Sequence, residues 1–98
     1  MKLRLAITVS HTIRDKEKLI ARVRRLKGQI EGIERALEAG KPCGEILRQL
    51  ASARGAMTGL TAEVMEDHLR EHVLHAETEA DRQQGGEELI EVIRTYMK

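Results

Sequence analysis

The chain of 98 residues is 34% charged and 41% apolar, with Tyr96 its only aromatic residue and Pro42 its only proline. That length allows one small domain, and the lack of Trp and Phe alongside abundant Ala, Leu, Glu, Arg and Ile excludes a sheet protein and favours an all-α fold. The single cysteine excludes an internal disulfide framework and points to a reducing compartment, while the net charge of +1 conceals a basic stretch at residues 14–27 (+5) and an acidic one at residues 61–91 (−8).

At the N-terminus, Lys2 and Arg4 precede a short apolar run, Leu5 to Val9, broken by Thr8. It is too short for a signal peptide and lacks a small-residue cleavage pattern, and no other segment reaches membrane-spanning length, so a cytoplasmic protein is expected. Residues 1–10 are read as a flexible extension or as a stretch added by a wrongly assigned start, leaving 11–98 as a single helical domain. From Asp15 to Glu38 the apolar residues Leu19, Val23, Leu26, Ile30, Ile33 and Leu37 alternate steps of four and three, a heptad seam on one long helix. Gly40 supplies a helix stop and Pro42 suits a first helical turn, so residues 40–43 form a tight corner.

The second helix is expected from about Cys43 to about Ala76, with Ile46, Leu50, Ala53, Met57, Leu60 and Val64 on one stripe that continues through His68 and His72. The pairs Gly28 with Gly32 and Gly55 with Gly59 would permit close approach of packed helices. The polar stretch ending in Gln83, Gln84, Gly85 and Gly86 reads as a linker, followed by a short amphipathic helix carrying Leu89, Ile90, Ile93, Tyr96 and Met97. A second helix of that extent is roughly 50 Å long, whereas a compact chain of this size has a radius of gyration of about 13 Å. Another copy must cover its seam, which predicts an intertwined dimer built on an antiparallel four-helix bundle.

The sulfur and imidazole donors are few. His68 and His72, four apart on one helical face, let two imidazoles converge on one ion. Cys43 begins the same helix and cannot reach them within one chain, but antiparallel packing of two second helices sets Cys43 of one subunit beside His68 and His72 of the other. The arm before the first helix brings His11 to the same place, completing three imidazoles and one thiolate. Such borderline donors suit Ni(II), Co(II) or Zn(II), whereas Cu(I) prefers more sulfur. His75 reads as a solvated or supporting residue.

Lys18, Arg22 and Arg25 are spaced i, i+4, i+7 and form a stripe distinct from the seam. Repeated over symmetry mates, this stripe suits successive phosphates of duplex DNA. No helix-turn-helix spacing is visible and there are no aromatics for stacking single-stranded bases, so backbone contact and shape readout are the expected mode.

The run from Ser10 to Val73, with its RVRRLKGQ segment, the single cysteine after the first helix, the LASARGAMTGL segment and EDHLREH, resembles the CsoR/RcnR family of bacterial metal-responsive and formaldehyde-responsive transcriptional repressors. The resemblance extends over residues 10–98. It implies an all-helical protein whose dimers pair into a tetramer and which releases operator DNA when an inducer binds. The four inducer-site positions read His11, Cys43, His68 and His72, a pattern resembling the nickel/cobalt branch, whose members repress metal-efflux genes. The copper and persulfide branches require a second cysteine, and the formaldehyde branch places a proline at the mature N-terminus. Arg22, Arg25 and Arg54 match basic positions implicated in DNA contact. The ten residues before His11 depart from the nickel/cobalt pattern, in which the mature N-terminus adjoins that histidine; a start at Val9, if its codon were GTG, would remove the difference, and a real extension would move metal preference toward Zn(II).

These readings converge on a homodimeric or tetrameric, non-enzymatic repressor of metal-efflux genes, induced by Ni(II) or Co(II), with Zn(II) as a further candidate ion and double-stranded operator DNA as partner. The competing readings are a formaldehyde-responsive repressor using Cys43 as reactive thiol, a helical interaction module and a hydrolytic metalloenzyme; the last lacks an identifiable carboxylate base beside the histidine pair.

Overall fold

The computed structural model describes the backbone of residues 2–97 and the side chains of residues 16–97. Three helices follow one another without strands among the described residues: α1 (Lys2–Glu38), α2 (Cys43–Leu69), which continues into a π-helical turn (Arg70–Leu74), and α3 (Glu79–Tyr96). The expected all-α class and three-helix count are thus observed. No Gly or Pro interrupts the sequence before Gly28, and α1 accordingly runs beyond the stretch marked by the heptad seam. The backbone of residues 2–10, expected as an extension, and that of His11, expected on an arm before the first helix, are described within α1, while their side chains lie outside the described residues.

The corner between α1 and α2 forms as its residues dictate. Gly40 adopts φ +67°, which a residue with a Cβ rarely takes. Its N–H reaches the Leu37 carbonyl at 3.1 Å and the Lys41 N–H reaches the Ala36 carbonyl at 3.0 Å, the paired bonds of a Schellman stop. Pro42, lacking an N–H, contributes only its carbonyl, which accepts from Glu45 and Ile46 to open α2.

The chain divides into two compact units, Thr12–Thr61 and one that contains Ala62–Lys98. In the first, the seam of α1 splits in two. Leu26 and Ile33, seven residues apart, are buried with Ala53 of α2, and the half-buried Ala56 packs beside them. Their alternates Val23, Ile30 and Leu37 remain 48%, 53% and 60% exposed. α2 thus covers one edge of the stripe, Leu26 and Ile33, and the other edge is presented outward. Gln29 Nε2 also donates to Ser52 Oγ at 3.1 Å across this pairing. Only Leu26, Ile33, Ala36 and Ala53 count as buried apolar residues among those described.

Within the single chain the glycine pairs face no neighbouring helix backbone. A Cβ added at Gly28 or Gly55 would meet open space, whereas at Gly59 it would lie 2.9 Å from the Arg22 guanidinium. Gly59 therefore makes room for a long side chain from α1 rather than for a helix backbone.

Two further expectations are corrected in the second unit. The second helix does not continue as a regular α-helix to Ala76: it widens into the π-helical turn after Leu69 and ends where the His75 N–H bonds back to the Arg70 carbonyl at 2.9 Å. Residues 83–86 are not a linker but lie inside α3, which begins at Glu79. Thr78 caps that helix, its Oγ1 accepting from the Asp81 N–H at 3.1 Å, and Glu79 and Asp81 place negative charge at the helix N-terminus. Gly85 is buried against the π-helical turn: a Cβ there would overlap the His72 carbonyl oxygen. Packing at this crossing, not chain flexibility, is what glycine serves at position 85.

Candidate metal site and basic face

His68 stands in the last turn of α2 and His72 in the π-helical turn that follows. Their ring centroids are 4.9 Å apart, with planes inclined by 44°. Two imidazoles sharing one ion at about 2.0–2.1 Å must bring their nitrogens within about 4 Å of each other, and rings at this separation meet that requirement with small rotations. The side chain of His68 is 27% exposed, and His72 is half-buried.

His68 is oriented by α3. Its Nε2 lies 3.0 Å from the Gly85 carbonyl oxygen and 3.8 Å from Glu88 Oε1. A carbonyl only accepts, so Nε2 carries the hydrogen, and whenever the ring is neutral its lone pair is on Nδ1. A ring held by a backbone carbonyl on one nitrogen, with a lone pair on the other, has the arrangement common to metal-ligating histidines. A small hollow beside the pair is lined by Glu71, His72, His75, Asp81, Gly85 and Glu88. His75 itself is exposed.

Cys43 is a free, exposed thiol at the first residue of α2, in the other unit. The side chain of His11 lies outside the described residues. No group of three His, Cys, Asp or Glu side chains able to hold a metal occurs among the described residues. Of the four expected donors, the chain brings together His68 and His72.

Lys18, Arg22, Arg25 and Arg54 all fall in the unit Thr12–Thr61. Lys18, Arg25 and Arg54 are exposed, whereas Arg22 is half-buried with its guanidinium lying across Gly59. Arg22 thus combines its charge with packing between α1 and α2. Arg25 is the more independent probe of phosphate binding: Arg25→Ala should weaken DNA binding across sequences and flatten the salt dependence by about one unit of slope for each phosphate that is no longer neutralised, with helical content retained. Unchanged affinity from low to moderate salt would return this stripe to an ordinary solvated face.

Three residues around the imidazole pair carry no signal of their own in the sequence: Arg82, Gly85 and Glu88. The signal available nearby is the Thr78–Asp81 cap, a hydroxyl followed three residues later by an acid, which marks a helix start before the glycines.

A model of the metal-sensitive transcriptional repressor family matches residues 15–95. The chain is 54% identical over 91 residues to an uncharacterized protein in the bioA 5′ region of Serratia marcescens, covering 92% of this chain and all of that one. It is 40% identical over 90 residues to the transcriptional repressor RcnR of Salmonella paratyphi B, again covering 92% of this chain and all of the relative. Among solved structures, it is similar to a variant of the formaldehyde-responsive regulator FrmR from Salmonella enterica serovar Typhimurium, with a TM-score of 0.79 and 44% identity over 85% of this chain and 94% of that one.

Proposed function

Because this chain belongs to the metal-sensitive transcriptional repressor family, we propose that it is a nickel- or cobalt-responsive repressor that binds operator DNA without metal and releases it when metal binds, derepressing metal-efflux genes. The observation that carries this reading is the imidazole pair, two rings 4.9 Å apart with His68 Nε2 engaged by the Gly85 carbonyl. The similarity to the transcriptional repressor RcnR supports the repressor part of this reading.

In this reading His68 and His72 of one subunit take the ion together with Cys43 and His11 drawn from the dimer, and Lys18, Arg22, Arg25 and Arg54 meet the DNA backbone. The exposed alternates of the seam, Val23, Ile30 and Leu37, with Leu47, Leu50 and Met57 on α2, supply the apolar surface for an antiparallel pairing of chains and for further assembly into a tetramer. Bound metal supplies a cross-link that favours one arrangement of the subunits. DNA and metal then oppose one another through that arrangement, each weakening the other by the same factor.

Shared ligation has a direct test. Cys43→Ala and His68→Ala subunits mixed into heterodimers should regain one intact site per dimer, because each chain retains the donor its partner lacks. Metal binding by the mixture no greater than by the separate variants would overturn the antiparallel arrangement.

A second reading is favoured by the likeness to the formaldehyde-responsive regulator and by the exposed thiol: Cys43 acts as nucleophile toward formaldehyde, and that adduct, not metal, releases DNA. Titrating operator complexes with Ni(II), Co(II), Zn(II) and formaldehyde in parallel separates the two.

A further inference from the structure

We infer that α3 sets the pitch of the histidine-bearing turn, with Arg82 and Gly85 as positioning residues for the imidazole pair; this rests on the metal-site reading above. A π-helical turn is rare and is frequently found at functional sites. It must therefore be held by its surroundings, and here the holding contacts come from one helix. Arg82 Nε donates to the Val73 carbonyl at 3.2 Å, a helix-terminal acceptor with no intrahelical donor available to it. The same guanidinium is braced by Glu79, its Nη1 lying 2.7 Å from Oε2.

One helical turn further along α3, Gly85 meets the backbone of His72 itself. An added Cβ would overlap the His72 carbonyl oxygen and stand 2.8 Å from its carbon, backbone atoms that cannot swing aside. The Gly85 carbonyl meanwhile accepts from His68. Gly85 thus touches both histidines, one through its carbonyl and one through its missing side chain, while Arg82 fixes the carbonyl next to His72. The angle between the two rings depends on the width of the turn joining them. Releasing the clasp lets the turn relax toward α-helical pitch and rotates His72 relative to His68.

The test uses the full chain with Arg82→Gln, Arg82→Lys and Gly85→Ala. In the metal-free protein, nuclear Overhauser effects between the His68 and His72 rings should be present in the natural chain, weakened in Arg82→Gln and Gly85→Ala, and partly restored in Arg82→Lys, whose amine can still reach the Val73 carbonyl. Ni(II) affinity should fall tenfold or more in the first two variants, with helical circular dichroism retained in Arg82→Gln even if Gly85→Ala fails to fold. Ring proximity and Ni(II) affinity that both match the natural chain in Arg82→Gln would overturn the proposal. If the natural chain shows the ring proximity, and Arg82→Gln abolishes it, yet the natural chain takes no Ni(II) through His68 and His72, the clasp stands as structure and the metal-site reading fails instead.

Discussion

Operator DNA held by a His72→Ala variant should stay bound when saturating Ni(II) or Co(II) is added, whereas the natural chain should lose affinity by about 5- to 150-fold, the span of a coupling of about 1–3 kcal/mol. The substitution removes one of the two rings that the chain itself brings together, leaving His68 without the imidazole it faces at 4.9 Å. It lies in the unit that contains Ala62–Lys98, while Lys18, Arg22, Arg25 and Arg54 lie in Thr12–Thr61, so metal-free affinity for DNA should hardly change. The comparison isolates coupling from binding. Should none of Ni(II), Co(II) and Zn(II) alter operator affinity of the natural chain while formaldehyde does, Cys43 chemistry takes the place of metal sensing.

Ile30→Glu is expected to abolish association. Ile30 sits midway along the outward half of the α1 seam and is 53% exposed in the single chain. If that half-seam is the subunit interface, a carboxylate there is desolvated without a partner, which costs several kcal/mol per ion, and in a two-fold dimer the penalty is incurred on both subunits. Sedimentation should then report the 11.1 kDa chain with a lowered thermal midpoint, because so few apolar residues are buried within one copy. A variant that sediments and melts like the natural protein would place the interface elsewhere. Glu31→Gln, one residue away and already exposed, serves as the control that should change neither property.

What can be read from the sequence follows from how local each cause is. The Gly40 and Pro42 corner needs only the conformational limits of two residues, and the structure reproduces it. The heptad pattern identifies the buried Leu26 and Ile33 along with Val23 and Ile30, but periodicity alone does not say which neighbour covers which half. Residues 83–86 read as a linker because Gly85 and Gly86 weaken a helix on propensity grounds, and the compensating packing of Gly85 on His72 lies 13 residues away in sequence. The spacing of His68 and His72 points to the pair, while the widened turn carrying His72 and the clasp from Arg82 have no periodic signature. Cys43 opens α2 in the unit Thr12–Thr61, and within one chain nothing local draws it to the imidazoles; in the proposed function a second subunit supplies it.

The Schellman corner also shapes how the protein comes to be folded. It joins partners such as Gln29 and Ser52, separated by only 23 positions, so the α1–α2 hairpin closes through a short loop. Chains dominated by contacts within helices fold on microsecond to millisecond timescales, whereas docking of subunits depends on concentration and takes milliseconds to minutes. Hairpin closure should therefore precede assembly on a nascent chain, and at low protein levels the rate at which working repressor accumulates should rise with the square of chain concentration, the order expected when encounter between two copies is the slow step.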